Sequence, residues 1–175
     1  MEIKPIKDIM KISAEDLPLI VLSDNPRSFI SMGIKAHQKG SYNHLMWMVQ
    51  PGEFASQDLM FHLVPAEKYF HSRLKFWHNP NWTTDEKNLL KASIFKALKD
   101  PWYDRLYDWP QIVGFMVGLR GLQLPWRKIC SDHVDYLRVV DPDWTAGKHR
   151  SPPEINRVFK GNDKYQVHGY FDADV

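Results

Sequence analysis

Cysteine is the scarcest side chain here: Cys130 is the single one in 175 residues. That excludes an intramolecular disulfide framework and any site built from several thiolates, and it leaves the sulfur as either a buried filler or a reactive thiol. An excess of charge is missing too. The 23 Lys and Arg against 21 Asp and Glu give a formal net charge of +2, and the basic residues are scattered, so no nucleic-acid or membrane-surface footprint stands out. Nor is there a long hydrophobic run. The most apolar stretch, Ile112 to Leu119, stops at Arg120, far short of the roughly 20 residues a bilayer span needs. The opening Met1-Glu2-Ile3-Lys4-Pro5-Ile6-Lys7-Asp8 lacks a basic region followed by an apolar one, so it does not read as a signal peptide. A Gly-rich phosphate loop, a GxSxG elbow and a paired-carboxylate arrangement are all lacking, which leaves kinase, serine-hydrolase and glycosidase chemistry without support.

Aromatic residues, by contrast, are plentiful. Seven Trp, seven Tyr and nine Phe make up 13% of the chain, enough either to fill a core or to line a groove. With 43% hydrophobic and 25% charged residues, residues 1–175 fit one domain that buries its core without disulfide staples.

Leu17 to Leu22 is a short apolar run closed by Ser23-Asp24-Asn25-Pro26, predicting a buried strand and then a helix from about Pro26 to His37. Asn43 to Gln50 and Glu53 to Asp58 flank Pro51-Gly52, a hairpin signal. Further strands are expected at Phe61 to Val64 and Arg73 to Trp77. Thr83-Thr84-Asp85-Glu86 has the capping-box pattern, and Leu90, Ile94, Ala97 and Leu98 form one apolar stripe behind it. Helices are also expected over Trp109 to Leu119, from Cys130 onward, and over Ile155 to Lys160 after Ser151-Pro152-Pro153-Glu154. A last strand should cover Tyr165 to Phe171. This order predicts an α+β domain with helices packed against a mainly antiparallel sheet.

Cys130 opens its helix, where unpaired N–H groups and the positive end of the dipole favour thiolate. Cys130, Val134 and Leu137 fall at i, i+4 and i+7, so the thiol shares the buried face. Nucleophilic catalysis also needs a base, usually a histidine distant in sequence. His133 is on the same helix, where side chains rarely align for proton transfer to a leaving group. His44 begins a strand whose Leu45 to Val49 are apolar on both faces, the mark of a covered central strand. It is either a core histidine satisfied by a carbonyl or the base for Cys130.

Ser41-Tyr42-Asn43-His44 followed by Cys130-Ser131-Asp132 resembles the circularly permuted NlpC/P60 group of papain-like enzymes, in which a strand carrying Ser/Tyr-x-His precedes the helix that opens with Cys-Ser-Glu. Tyr107-Asp108-Trp109, the hairpin after the histidine, and Ser151-Pro152-Pro153-Glu154-Ile155 match in the same order, so the resemblance spans roughly Leu17 to Phe171. It implies a permuted papain-like fold and a thiol hydrolase without cofactor. Cys130 would attack an amide, ester or isopeptide-type carbonyl, His44 would act as base, and an acyl-enzyme would be hydrolysed by water. The expected partner is an acyl or peptide-type substrate, with peptidoglycan stem peptides and lipid esters or amides both compatible. The expected location is the cytoplasm or a phage virion.

The family places a polar third residue, often Glu, on the strand after the histidine, and this sequence has no carboxylate in the obvious slot. If Pro51-Gly52 makes a plain two-residue turn, Glu53, Ala55 and Gln57 share the face of His44. Gln57 is then the third residue, ahead of Ser56, which would point away together with Asp58. A bulge at the turn would reverse that.

Other patterns carry less. Arg73-Leu74-Lys75-Phe76-Trp77-His78 interleaves basic and aromatic residues as single-stranded nucleic-acid sites do, but an amphipathic edge strand explains it equally, and no nucleic acid is expected. His71 and His78 lack a third ligand, so no metal is expected. Trp109 to Trp126 suits an acyl groove or plain core. The rival to the hydrolase is a non-catalytic papain-like scaffold serving as a binding or structural module.

Overall fold

The computed structural model describes residues 2–24, 41–106, 128–144 and 150–175, with Asp108, Pro110 and Val113 besides. The helix expected from Pro26 to His37 lies outside these residues, as does the one over Trp109 to Leu119 apart from Pro110 and Val113.

Among the described residues seven strands form one open sheet: β1 (Ile3–Pro5), β2 (Leu19–Asp24), β3 (His44–Gln50), β4 (Glu53–Gln57), β5 (Phe61–Pro65), β6 (Arg73–His78) and β7 (Gln166–Asp172). Their spatial order is β1-β7-β6-β2-β3-β4-β5. Every pairing is antiparallel except β1 with β7. The chain is thus a mixed α+β protein with a mostly antiparallel sheet. β1 and the 3₁₀ segment Ile6–Lys11 behind it carry no clear pattern in the sequence, and β6 is an interior strand between β2 and β7 rather than the amphipathic edge its alternation suggests.

Alternation along the strands sorts the core into two layers. Ile20, Leu22, Leu45, Trp47 and Trp77 face one way, where they meet α1 (Thr84–Leu98), α2 (Pro152–Lys160) and the 3₁₀ helix Cys130–Val139, here the cysteine helix. Leu19, Val21, Met46, Met48, Leu74 and Phe76 face the other way, onto Ile6, Ile9 and Ile12 of the N-terminal segment. α1 starts where the sequence says: the Thr83 hydroxyl accepts from the Glu86 N–H at 3.2 Å, and the Glu86 carboxylate accepts from the Thr83 N–H at 2.8 Å. Its stripe of Leu90, Ile94 and Ala97 is buried against the sheet. In the cysteine helix Cys130, Val134 and Leu137 are all buried, as the spacing predicts. The Trp47 indole N–H donates to the His133 carbonyl at 3.0 Å, tying that helix to β3.

Candidate active site

The β3–β4 hairpin decides which polar residues meet His44. Gln50 pairs with Glu53 across the turn, as a plain two-residue connection demands, but Met48 then pairs with Phe54 and Met46 with Ser56. Two steps on β3 are matched by one on β4, so Val49 is an extra residue, a β-bulge. Because side chains alternate with period two, one extra residue exchanges the faces of everything beyond it. The expected face-sharing of His44 and Gln57 is therefore corrected: Ser56 and Asp58 take the side of His44, and Gln57 takes the other.

The Nε2 of His44 lies 2.8 Å from the Ser56 hydroxyl. That hydroxyl donates to Asp58 Oδ1 at 3.1 Å and is 2.7 Å from the phenol oxygen of Tyr69. Tyr69 donates to the same Asp58 Oδ1 at 3.1 Å, and Lys68 donates to Oδ2. Burial alone would raise the Asp58 carboxyl, but His44, Lys68 and Tyr69 together hold it below the usual range, so it is ionised and accepts only. With the single Ser56 proton given to Asp58, His44 donates from Nε2 to Ser56 Oγ, the neutral tautomer that leaves Nδ1 as its basic nitrogen. Burial, and secondarily the Lys68 charge, pushes the ring down to about 4 against the pull of Asp58, so it is neutral at pH 7. The Tyr69 ring also stacks on it, with centroids 6.0 Å apart.

On the opposite face Gln57 serves the other histidine. Its side-chain NH₂ donates to the Arg105 carbonyl at 2.8 Å, which fixes Oε1 as the end facing His133 Nε2, also at 2.8 Å. His133 therefore donates from Nε2 and accepts at Nδ1 from the Tyr136 hydroxyl, 3.0 Å away. Its ring stacks on Phe61 with centroids 3.9 Å apart. Burial, then the charge of Lys128, and of His44 once that ring is protonated, holds it well below the ordinary histidine value. With both nitrogens engaged, His133 has the bonding of a satisfied core histidine.

Cys130 sits at the first position of its helix, 1% exposed and in no disulfide. Asp132 closes that first turn by accepting from the Ile129 N–H at 2.9 Å, and burial pushes its carboxyl up to about 6. His44 is the first residue of β3 and Gln57 the last of β4, so the first turn of the helix meets the sheet at this end, where His133 reaches Gln57. Cys130 is near enough to Tyr69 that its charge, after burial and Asp58, helps raise the phenol well above its ordinary value. Two buried hydroxyls beside these groups have no hydrogen-bond partner among the described residues: Ser131, next to the cysteine, and Ser23, directly across the ladder from His44.

No protein-family model matches this chain, and a search of curated proteins finds no match. The site is therefore read from its own geometry. Asp58 and Tyr69 are the members that sequence reasoning missed. The bulge that brings Asp58 round leaves no mark in the residue types of the hairpin, and Tyr69 comes from the 3₁₀ turn Ala66–Tyr69 between β5 and β6, where nothing in the sequence points at His44.

Proposed function

We propose that the chain is a thiol-dependent acyl hydrolase of the permuted NlpC/P60 (papain-like) kind, with Cys130 as nucleophile and His44 as base. The observation that carries this reading is the relay from His44 Nε2 through Ser56 to Asp58. It orients the imidazole and reserves Nδ1 for a proton, as a third residue does in nucleophile–base pairs. Asp58, with Ser56 as intermediary, fills the role for which Gln57 was expected.

In the mechanism, Nδ1 of His44 takes the thiol proton as Sγ of Cys130 attacks the carbonyl carbon of an amide, ester or isopeptide bond. The tetrahedral oxyanion is met by the backbone N–H of Cys130, which at a helix start has no intrahelical acceptor. Collapse returns the proton from His44 to the leaving amine or alcohol and leaves a thioester. Water, deprotonated by the same nitrogen, cleaves the thioester and restores the thiol. Because the resting imidazole is neutral, Asp58 stabilises the imidazolium as it forms, so activation is coupled to substrate attack.

A second reading, a non-catalytic scaffold, is favoured by the 1% exposure of Cys130, since inert structural cysteines are buried in this way. One experiment separates the two: the rate of iodoacetamide modification of Cys130 against pH, in the wild type and in His44→Ala. The hydrolase predicts that Cys130 is alkylated with His44 acting as general base, at a rate that falls at least about tenfold in His44→Ala. An unreactive thiol, or one indifferent to His44, leaves the scaffold standing.

A further inference from the structure

Between β6, β7 and α2 lies a cavity of about 300 Å³ whose walls include Tyr42, Lys75, Asn156, Arg157, Lys160 and Tyr170. Lys75 is its unusual member. It is an interior-strand lysine only 2% exposed, with its ammonium 4.0 Å from the ring centre of Trp77 and 5.1 Å from that of Tyr170. A buried cation normally has a carboxylate beside it. Lys75 has none: the nearby charge that acts on it is Lys160, of the same sign. All 21 Asp and Glu of the chain fall among the described residues, and no ion pair joins any of them to Lys75, Arg157 or Lys160.

The cations are surrounded by further donors. The Asn156 carbonyl oxygen accepts from the Trp77 indole N–H at 3.3 Å, which leaves its NH₂ as a donor. The phenols of Tyr42 and Tyr170 are raised chiefly by burial, Tyr42 to about 12, so both keep their protons. A second cavity of about 640 Å³ shares Lys75, Lys160 and Tyr170 and continues over Trp77, Phe159 and Tyr165, with Asp163 as its one carboxylate.

We propose that this pocket binds a phosphate monoester: the phosphoryl oxygens lie among Lys75, Arg157 and Lys160, and an aromatic or apolar stem runs over Trp77 and Phe159. Two ammonium groups and a planar guanidinium match a dianion with three oxygens better than a single carboxylate, and the missing counter-charge is the one the ligand brings. Phosphate binding there does not require Cys130 to be reactive. It also explains the alternating basic and aromatic residues of Arg73 to His78 without nucleic acid: the alternation places Lys75 and Trp77 on one face, under α2.

The test is calorimetric titration of the full chain with inorganic phosphate and with phenyl phosphate, in the wild type, R157Q, K160Q and K75M. Saturable one-to-one binding is expected, tighter for phenyl phosphate. R157Q and K160Q change exposed positions of α2 and leave the fold intact; each should weaken binding by about tenfold, the loss of one charge-assisted contact. K75M, which keeps the buried stem, should abolish it. Binding that is absent from the wild type, or undiminished in R157Q and K160Q, overturns the proposal. Equal affinity for phosphate and phenyl phosphate removes the stem from it.

Discussion

His44 and Ser56 are joined at 2.8 Å because Val49 is one residue too many for its strand. The register gives a direct comparison between two neighbours on β4. Ser56→Ala removes the link between the imidazole and Asp58. The iodoacetamide profile of Cys130 should move toward that of His44→Ala, with a stability loss of about 1–3 kcal/mol for the broken buried network. Gln57→Leu should cost similar stability, because it strands His133, yet leave the thiol profile in place. Alkylation kinetics with urea unfolding on both variants checks the pair. The opposite ranking would restore Gln57 as the partner of His44.

The buried histidines make stability depend on pH. His44 is held at about 4 in the folded chain and His133 well below its ordinary value, whereas both titrate near 6.5 once unfolded. The unfolded state therefore binds more protons between these values. The histidine contribution is fully present above about pH 6.5 and is lost as pH falls toward 4. Urea midpoints at pH 7.5, 6 and 5 should drop in that order, and His44→Gln should flatten the decline. Asp132, raised by burial to about 6, works in the opposite sense over the same range, so a decline in His44→Gln as steep as in the wild type would contradict the neutral buried ring of His44.

Gly52 has a φ of +76° in the hairpin turn, and a Cβ added there would lie 2.8 Å from the Met10 Cε. The methionine end can move aside, so backbone strain dominates. Gly52→Ala should cost about 1–2 kcal/mol, and Gly52→Asn less, since Asn tolerates left-handed backbone. Thermal unfolding of the two variants checks the order.

Trp47 anchors the cysteine helix through its indole N–H on the His133 carbonyl. Trp47→Phe keeps most of the packing and loses that bond. It should cost about 1–2 kcal/mol and raise hydrogen exchange in residues 130–139. Exchange rising equally across the whole chain would mean that the bond does not hold this element in particular.

Much of the framework is legible in the sequence because it rests on local signals. The capping box at Thr83, the apolar stripe of α1, the turn at Pro51-Gly52 and the helix opening at Cys130 each depend on residues a few positions apart. The partners of His44 depend on parity. Glu53 and Gln50 pair as the turn predicts, and the single bulge beyond them turns Ser56 and Asp58 inward and Gln57 away. No residue type in Met46 to Phe54 demands that bulge. Lys75 is a similar case: its alternation reads as an edge strand, and its burial follows from β7 and α2, nearly a hundred residues on, closing over it.

The two borders of the open sheet have a consequence for the chain in concentrated solution. β5 is a border strand, and its outward rungs fall at Phe61, Leu63 and Pro65. Arg105 occupies both backbone groups of Phe61, accepting from its N–H at 2.8 Å and donating to its carbonyl at 3.1 Å, and Pro65 has no N–H to offer. Leu63 alone keeps a full rung. At the other border β1 is three residues long and ends in Pro5. Among the described residues neither border offers a second molecule a run of backbone groups long enough to template cross-strand polymerisation, so despite its apolar strands this sheet resists fibril growth from these two edges.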